Sequence, residues 1–500
     1  MLMIGIDIGT TNCKVCLFEL PTFRLANHYR FATPVVLDAG FTRFDVEQIW
    51  SGIQFGIREV TRSVHPDSGG VHSISVASVG QSIVLIDSQG QAIGPAITWY
   101  DKITEQQAEI VREAVGTEKL YGITGIPSHS NHSLTKLLWI SEHYPEETKA
   151  AHRWLCLSGY IVYRLTGEMR TEFSLASRTL AYDIVNKRWS EDILRILNFD
   201  AAIFPEVVES GVAVGFLLPG LANELGLGTN TLVAIAGHDH IVGSYCTDLQ
   251  QQNEILNSTG TTEGLLITMK EPRMDSRFLE QYLSNGIFVN PRLYTLYGSM
   301  PTAGYAVEWF RRLFTKDEDE WTGLMAGLEG EYKECPQALF NRLSAFVPHL
   351  RGSGPPNRRL HAKAMFYGLT EETTKSDILY AILSGLCFEL KDLFQTFEDR
   401  IGQPYTVMKV IGPATRNPLW LQLKADILNC EVHAFQIEES VAKGAAVLAA
   451  VKQKLFDGIA SIPLYHQDEV YTPNAEMTEH YKDYYLKNYF PMKQFKRQLE

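Results

Sequence analysis

A glycine followed by two threonines, set between two short apolar runs, occurs twice in this chain, almost half the chain apart. The first copy is Ile6-Asp7-Ile8-Gly9-Thr10-Thr11-Asn12. Leu2 to Ile8 is apolar with a β-branched bias, and Cys13 to Phe18 alternates. The second copy runs from Glu254 to Thr268 around Gly260-Thr261-Thr262. Each reads strand, turn, strand. A supersecondary unit repeated at half-length predicts two similar α/β lobes joined near residue 248, spanning 1–248 and 249–500, with a ligand cleft between them.

The turn chemistry is that of phosphate binding. Glycine lets a backbone approach closely, and threonine supplies a hydroxyl beside converging N–H groups. No G-x-x-x-x-G-K-[ST] loop and no protein-kinase signature set is present, so nucleotide handling would rest on the two hairpins. Asp7, at the end of the first strand, could hold Mg²⁺ beside the phosphates, or cap the turn through its own side chain. A third segment is Ala236-Gly237-His238-Asp239-His240, which follows apolar Leu232 to Ala236 and precedes Gly243-Ser244. His238 and His240 would share a face for zinc if the segment stayed extended, but no partner cluster spaced through a barrel accompanies them. Asp239 reads better as a general base taking a hydroxyl proton, since phosphoryl transfer needs positioning, charge neutralisation and such a base.

The remaining pattern fits the two-lobe reading. Ser73 to Val79, Ile83 to Ile86 and Val407 to Ile411 read as strands. Trp50 to Val64, Lys136 to His143, Ser190 to Leu197, Gly304 to Phe314, Ser376 to Arg400, Pro418 to Asn429 and Ser440 to Lys454 read as helices. Tyr465 to Glu500, polar and aromatic with little β pattern, is expected to be a terminal helix on the second lobe. The net charge of −13 gives no attraction for nucleic acid. No run of 18 apolar residues argues for a membrane span, and Met1 to Ile8 lacks the basic leader of a signal peptide. Seven scattered cysteines point to free thiols and a cytoplasmic setting. Cys13 and Cys16 form a C-x-x-C, but three residues apart in a strand they face opposite sides and are expected as half-buried thiols.

Taken in order, these segments resemble the FGGY carbohydrate kinases. Gly5 to Thr11 is similar to their first phosphate motif. Ser78-Val79-Gly80-Gln81 with Leu85-Ile86-Asp87 resembles the substrate loop, and Thr98-Trp99-Tyr100-Asp101 the Trp-Asn-Asp segment. Leu165 to Glu168 and Thr171 to Thr179 resemble a central block, and Gly237-His238-Asp239 stands at the catalytic aspartate position. Asn257 to Thr262 is similar to the second phosphate motif, and Gly368-Leu369-Thr370 with Ile378 to Gly385 to the C-terminal signature. Gly412 to Trp420 with Ala425-Asp426 resembles the adenosine segment, and Lys443 to Ala446 the closing helix.

The resemblance implies an actin-like ATPase fold with a ribonuclease-H-like core in each lobe, and closure on sugar and ATP that excludes water. It implies Asp239 as base, with Asp7 and Asp239 beside Mg²⁺. The nucleotide positions it implies are Gly9, Thr10, Thr11, Asn12, Lys14, Gly260, Thr261, Thr262, Gly304, Gly412, Ala414 and Asn417. The sugar positions are Gln81, Ser82, Trp99, Asp101, His238 and Asp239. An amide and a carboxylate suit vicinal hydroxyls, and an indole covers a C–H face. Four departures stand out. Pro413 replaces a usual glycine and removes an N–H, and Lys102 stands near a usual Arg. Ser82-Ile83 replaces the Met-His of many xylulose kinases, and Gly159 an Asp before Tyr160. The expected reaction is transfer of the ATP γ-phosphoryl to a primary hydroxyl of a small ketose, a pentulose such as xylulose first. A tetrulose or tetritol, glycerol or gluconate are the alternatives. A homodimer is compatible with this reading. An actin- or Hsp70-like ATPase would share the hairpins but has no need of Gln81, Trp99 and Asp239. A non-catalytic sugar sensor has no need of that base.

Overall fold

The computed structural model describes residues 1–62, 70–249, 252–464 and 467–500. Leu2–Ile8 (β1) and Asn12–Glu19 (β2) form the first hairpin, and Arg24–Ala32 (β3) pairs antiparallel beyond β2. On the other side of β1, Val71–Ser78 (β4) pairs in parallel. Ala213–Phe216 (β5) closes that edge antiparallel to Leu232–His238 (β6), which runs parallel to β4. The order is β5-β6-β4-β1-β2-β3.

The second half repeats this plan. Glu254–Thr259 (β7) and Glu263–Met269 (β8) form its hairpin; Ser284–Ile287 (β9) and Tyr294–Met300 (β10) extend it antiparallel. Val407–Ile411 (β11) and Glu431–Gln436 (β12) add in parallel on the far side of β7, and Gln467–Tyr471 (β13) closes the edge. The order is β9-β10-β8-β7-β11-β12-β13. Each sheet is thus a central hairpin, extended antiparallel on one side by β3 in the first and by β10 and β9 in the second, with two parallel strands and an antiparallel edge strand on the other. This is the two-lobed α/β architecture that the repeated tripeptide predicts, and the actin-like ATPase fold that the resemblance implies.

Every residue of β1 is buried, which requires helices on both faces. Ile4, Ile6 and Ile8 meet Ile53 and Ile57 of Val46–Thr61 (α1) and Ile161 of Leu157–Thr166 (α2) in one core. Met3 joins Ala442, Ala446 and Val447 of a C-terminal helix in another. Asp239–Tyr245 (α3) begins where β6 ends. In the second half, the 27-residue Lys375–Ile401 (α4) starts at a Thr374/Asp377 capping box and stops at left-handed Gly402. Pro418–Leu428 (α5) packs beside it. Helix Ser440–Lys452 (α6) belongs to the second half of the sequence, yet it lies on β1, β4 and α3 of the first. Small residues allow this approach. A Cβ on Gly5 would stand 1.9 Å from the Ala442 carbonyl oxygen, and one on Gly444 2.2 Å from that of Val242.

The sequence expectations need three amendments. Gln467–Tyr471 is a strand, with helices Ala475–Tyr484 and Phe490–Leu499 following it; five residues are too short to show a period against an edge position. Cys13 and Cys16 do face opposite cores, but both are fully buried, because helices cover both faces of the sheet. The helix expected over Trp50 to Val64 spans Val46–Thr61, and Val64 lies outside the described residues, as does Tyr465. No helix among the described residues is long and apolar enough to cross a membrane.

Candidate active site

Both Gly-Thr-Thr turns are tight hairpins. Gly9 N–H donates to Asn12 O at 3.1 Å, and Gly260 N–H to Thr262 O at 2.8 Å. The middle threonines, Thr11 and Thr261, are exposed at the tips. Thr33 Oγ1 donates to Gly9 O at 2.7 Å from behind the first turn. Behind the second, Gly304 N–H donates to Gly260 O at 3.1 Å, and a Cβ on Gly304 would come within 2.4 Å of that oxygen. Gly304 therefore braces the hairpin. Beneath it the fully buried Lys424 donates to Asn257 Oδ1 at 2.5 Å and to Glu263. Sequence reasoning missed Lys424; a lysine inside the apolar run Pro418 to Leu428 was the available signal.

Asp7 ends β1 with 6% exposure, and its Oδ1 is buried with no hydrogen-bond partner. Burial first, and then the charge of Asp239, push its carboxyl up to about 7, against the pull of Lys14. Lys14 lies 3.8 Å from Asp7 and 2.7 Å from Glu439, so its ammonium joins the first hairpin to the start of α6. Two neighbouring carboxylates, one with an orphaned oxygen, are a donor set that fits a hard divalent cation. Asp7 and Asp239 are the residues that could hold Mg²⁺.

Asp239 opens α3 just past β6, partly exposed, and its Oδ1 accepts from His240 N–H at 2.7 Å. Because the helix starts there, the segment is not extended as a shared zinc face for His238 and His240 requires. His238 Nδ1 lies 3.2 Å from Asp239 Oδ1 without hydrogen-bond geometry. Burial drives its pKa down to about 3, so the ring is neutral near pH 7. Glu172, fully buried, anchors this corner. It accepts from Ser174 N–H (2.8 Å), Ser174 Oγ (2.7 Å), Leu175 N–H (2.6 Å) and Ser210 Oγ (2.5 Å). Ser174 Oγ in turn accepts the His238 N–H at 2.9 Å. Gly237, at φ 130°, passes so close that a Cβ would meet Ser174 Oγ at 2.5 Å.

A cavity of about 380 Å³ opens between the two sheets. Thr10 of the first hairpin, Thr262 of the second, and Asp239 all line it, with Gln81, Trp99 and His238. Gln81 is held at φ 69°, an uncommon state for a side-chain-bearing residue, with Ser133 Oγ donating to its carbonyl at 3.2 Å. Gly80 permits this, since a Cβ there would stand 2.5 Å from the His238 ring. Trp99 Nε1 donates to Thr10 Oγ1 at 2.8 Å, joining this wall of the cavity to the first hairpin.

Other sequence-selected residues lie elsewhere. Asp101 does not line the cavity; its carboxylate accepts from Thr42 N–H at 2.6 Å and Ile103 N–H at 2.8 Å, as a turn cap. Ser82 is fully buried behind Gln81. Gly412 (φ 95°), Ala414 and Asn417 surround a short 3₁₀ turn outside the cavity. Asn417 Oδ1 caps α5 by accepting from Trp420 N–H at 3.0 Å. Pro413 opens that turn, where a missing N–H leaves no internal bond unmade. Gly159 is explained by packing, since a Cβ would stand 2.6 Å from Arg170 O. Lys102 is exposed.

Residues 2–246 match the model of the FGGY family of carbohydrate kinases, N-terminal domain, and residues 255–452 that of its C-terminal domain. The chain belongs to the FGGY family of carbohydrate kinases. It is therefore a phosphotransferase with an alcohol group as acceptor. Among its relatives are the xylulose kinase of Bacillus subtilis (strain 168), 28% identical over 96% of this chain and 94% of that one. The L-fuculokinase of Escherichia coli (strain K12) is 29% identical over 75% of this chain and 76% of its own. The fold is shared with the gluconate kinase of Lactobacillus acidophilus, at 21% identity and a TM-score of 0.85, covering 96% of this chain and 95% of that one.

Proposed function

We propose that this FGGY kinase transfers the γ-phosphoryl group of ATP to a hydroxyl of a small ketose, with Asp239 as general base. One observation carries the reading: a threonine from each hairpin, Thr10 and Thr262, lines the same cavity as Asp239. Asp239 takes the acceptor's hydroxyl proton. The acceptor oxygen forms a bond to the γ-phosphorus, the bridging P–O bond breaks, and its electron pair leaves with ADP. Mg²⁺ bound with the nucleotide would offset phosphate charge, and Asp7 and Asp239 would hold it. The hairpin N–H groups and the hydroxyls of Thr11 and Thr261 cradle phosphate oxygens, and Gly412 to Asn417 lies toward adenosine. Gln81 and Trp99 face the acceptor. A pentulose such as xylulose is the first acceptor to test, on the strength of the relative at 28% identity.

ADP release measured against xylulose and other ketoses, polyols and sugar acids tests the reading, with products identified by mass spectrometry. Asp239→Asn should lower turnover by about 100-fold to 10,000-fold while nucleotide binding persists. Unchanged turnover in that variant would remove Asp239 from the role of base. Sugar-independent ATP hydrolysis, with no phosphorylated product, would replace a kinase by an ATPase.

A further inference from the structure

One end of the cleft is lined by two arginines that have no ion-pair partner among the described residues. Arg178 and Arg358 line the main cavity, and both also line a smaller adjoining one with His129, Tyr282 and Tyr297. That second cavity holds no hairpin residue and neither Asp7 nor Asp239. Arg178 Nε is buried without a hydrogen-bond partner. Among the described residues, burial lowers its pKa and only Tyr297 acts to raise it; for Arg358 the corresponding residue is Tyr282. Arg358 lies over the Tyr282 ring at 5.4 Å. Among the described residues neither guanidinium has an ion-pair partner.

The charges acting on His129 there are cationic. Burial first, then Arg358, hold the pKa of His129 down to about 4, and the other charges acting on it, Lys136 and Lys102, are also cations. His132, beneath it, is likewise kept neutral by burial and by Arg178. Asp239, the one carboxylate lining the main cavity, is already committed beside Asp7. Two planar forks, partly buried and without an ion-pair partner among the described residues, are shaped to receive a carboxylate. Leaving them unpaired where they are partly withdrawn from water costs free energy that a ligand's charge would offset.

We propose that the acceptor is a sugar acid: a polyhydroxylated chain of five or six carbons, ketonic or not, with a terminal carboxylate held by Arg178 and Arg358. The inference rests on the kinase reading and adds a charge to its acceptor. The reacting hydroxyl lies at the opposite end of the chain, toward Asp239 and the hairpins. The carboxylate is unchanged in the reaction.

The test compares acids with their neutral counterparts in the full-length protein: fructuronate, gluconate and xylonate against fructose, glucitol, xylitol and xylulose. The acids should exceed the neutral compounds in kcat/KM by about 100-fold or more. Arg358→Gln should cut that ratio by about 10-fold to 100-fold. Arg178→Gln should do the same, and if it fails to fold, the less buried Arg358 still decides the matter. Neutral ketoses used as well as or better than the acids would overturn the inference and leave the kinase reading intact. If no compound yields a phosphorylated product, the kinase reading fails, and calorimetry then decides the inference by itself. Gluconate and xylonate binding no tighter than glucitol and xylitol would overturn it.

Discussion

At the scale of residues, the site is a problem of unbalanced charge. Asp7 is raised to about 7. Between about pH 4 and 7 the folded chain therefore holds a proton that the unfolded chain has released. Stability falls as pH rises through that window, by about 1.4 kcal/mol per pH unit from this group. His238, lowered to about 3, works the other way. Between about pH 3 and 6.5 the unfolded chain holds the extra proton, so stability falls as pH drops. Asp7→Asn removes only the first slope. In urea titrations without divalent cation, its gain over the parent should grow from pH 5 to 7 and then level off. A gain that does not vary with pH would mean that Asp7 carries no such strain. Lys424→Met is expected to destabilise by about 3–5 kcal/mol, because it leaves Glu263 buried and unpaired. A loss under about 1 kcal/mol by denaturant titration would contradict that role. Asp7, Thr10, Trp99 and Asp239 could be picked out as candidates in the sequence because their residue types suggest chemistry, and the fold brings them to one region. Lys424 was not, because its partners Asn257 and Glu263 lie far back along the chain; Glu172 was not, because its neighbour Ser174 passes its effect to the distant His238 N–H. Asp101 and Asn417 both cap turns in the fold; a short polar side chain beside a turn serves equally as a cap or as a ligand, so sequence alone does not separate the two.

At the scale of elements, the two hairpins are similar turns with different supports. The first is backed by Thr33 and tied through Lys14 to α6; the second rests on Gly304 and the Lys424 cluster. Position for position, Asp7 corresponds to Ser258, so only the first hairpin brings a carboxylate. The corner carrying Asp239 is fixed by a chain of bonds from Glu172 through Ser174 to the His238 N–H. Glu172→Gln replaces an acceptor-only carboxylate by an amide that cannot accept on both sides. It should lower kcat by about 10-fold to 100-fold with little change in the KM for ATP. A loss confined to KM would place its effect on binding instead. Strands and helices of this kind are read well from sequence when they have a period. The edge strand Gln467–Tyr471 was not, being held in place by β12 rather than by a pattern of its own.

At the scale of the whole molecule, duplication was visible in a tripeptide and is realised as two sheets of matching strand order. What the tripeptide could not reveal is that the halves are interleaved. α6 comes late in the chain, but Ala442, Ala446 and Val447 complete the core around Met3, Cys16 and Phe18. Gly5→Ala would drive a methyl into the Ala442 carbonyl oxygen, 1.9 Å away, and should destabilise by about 3 kcal/mol. Equal denaturation midpoints for variant and parent would show that α6 can retreat freely. The same seam governs how this protein can be recombined. A hybrid crossed over near residue 248 with a relative would keep its own first sheet but receive a foreign helix upon it. The natural block to exchange is the first sheet together with α6, a unit continuous in space and discontinuous in the gene.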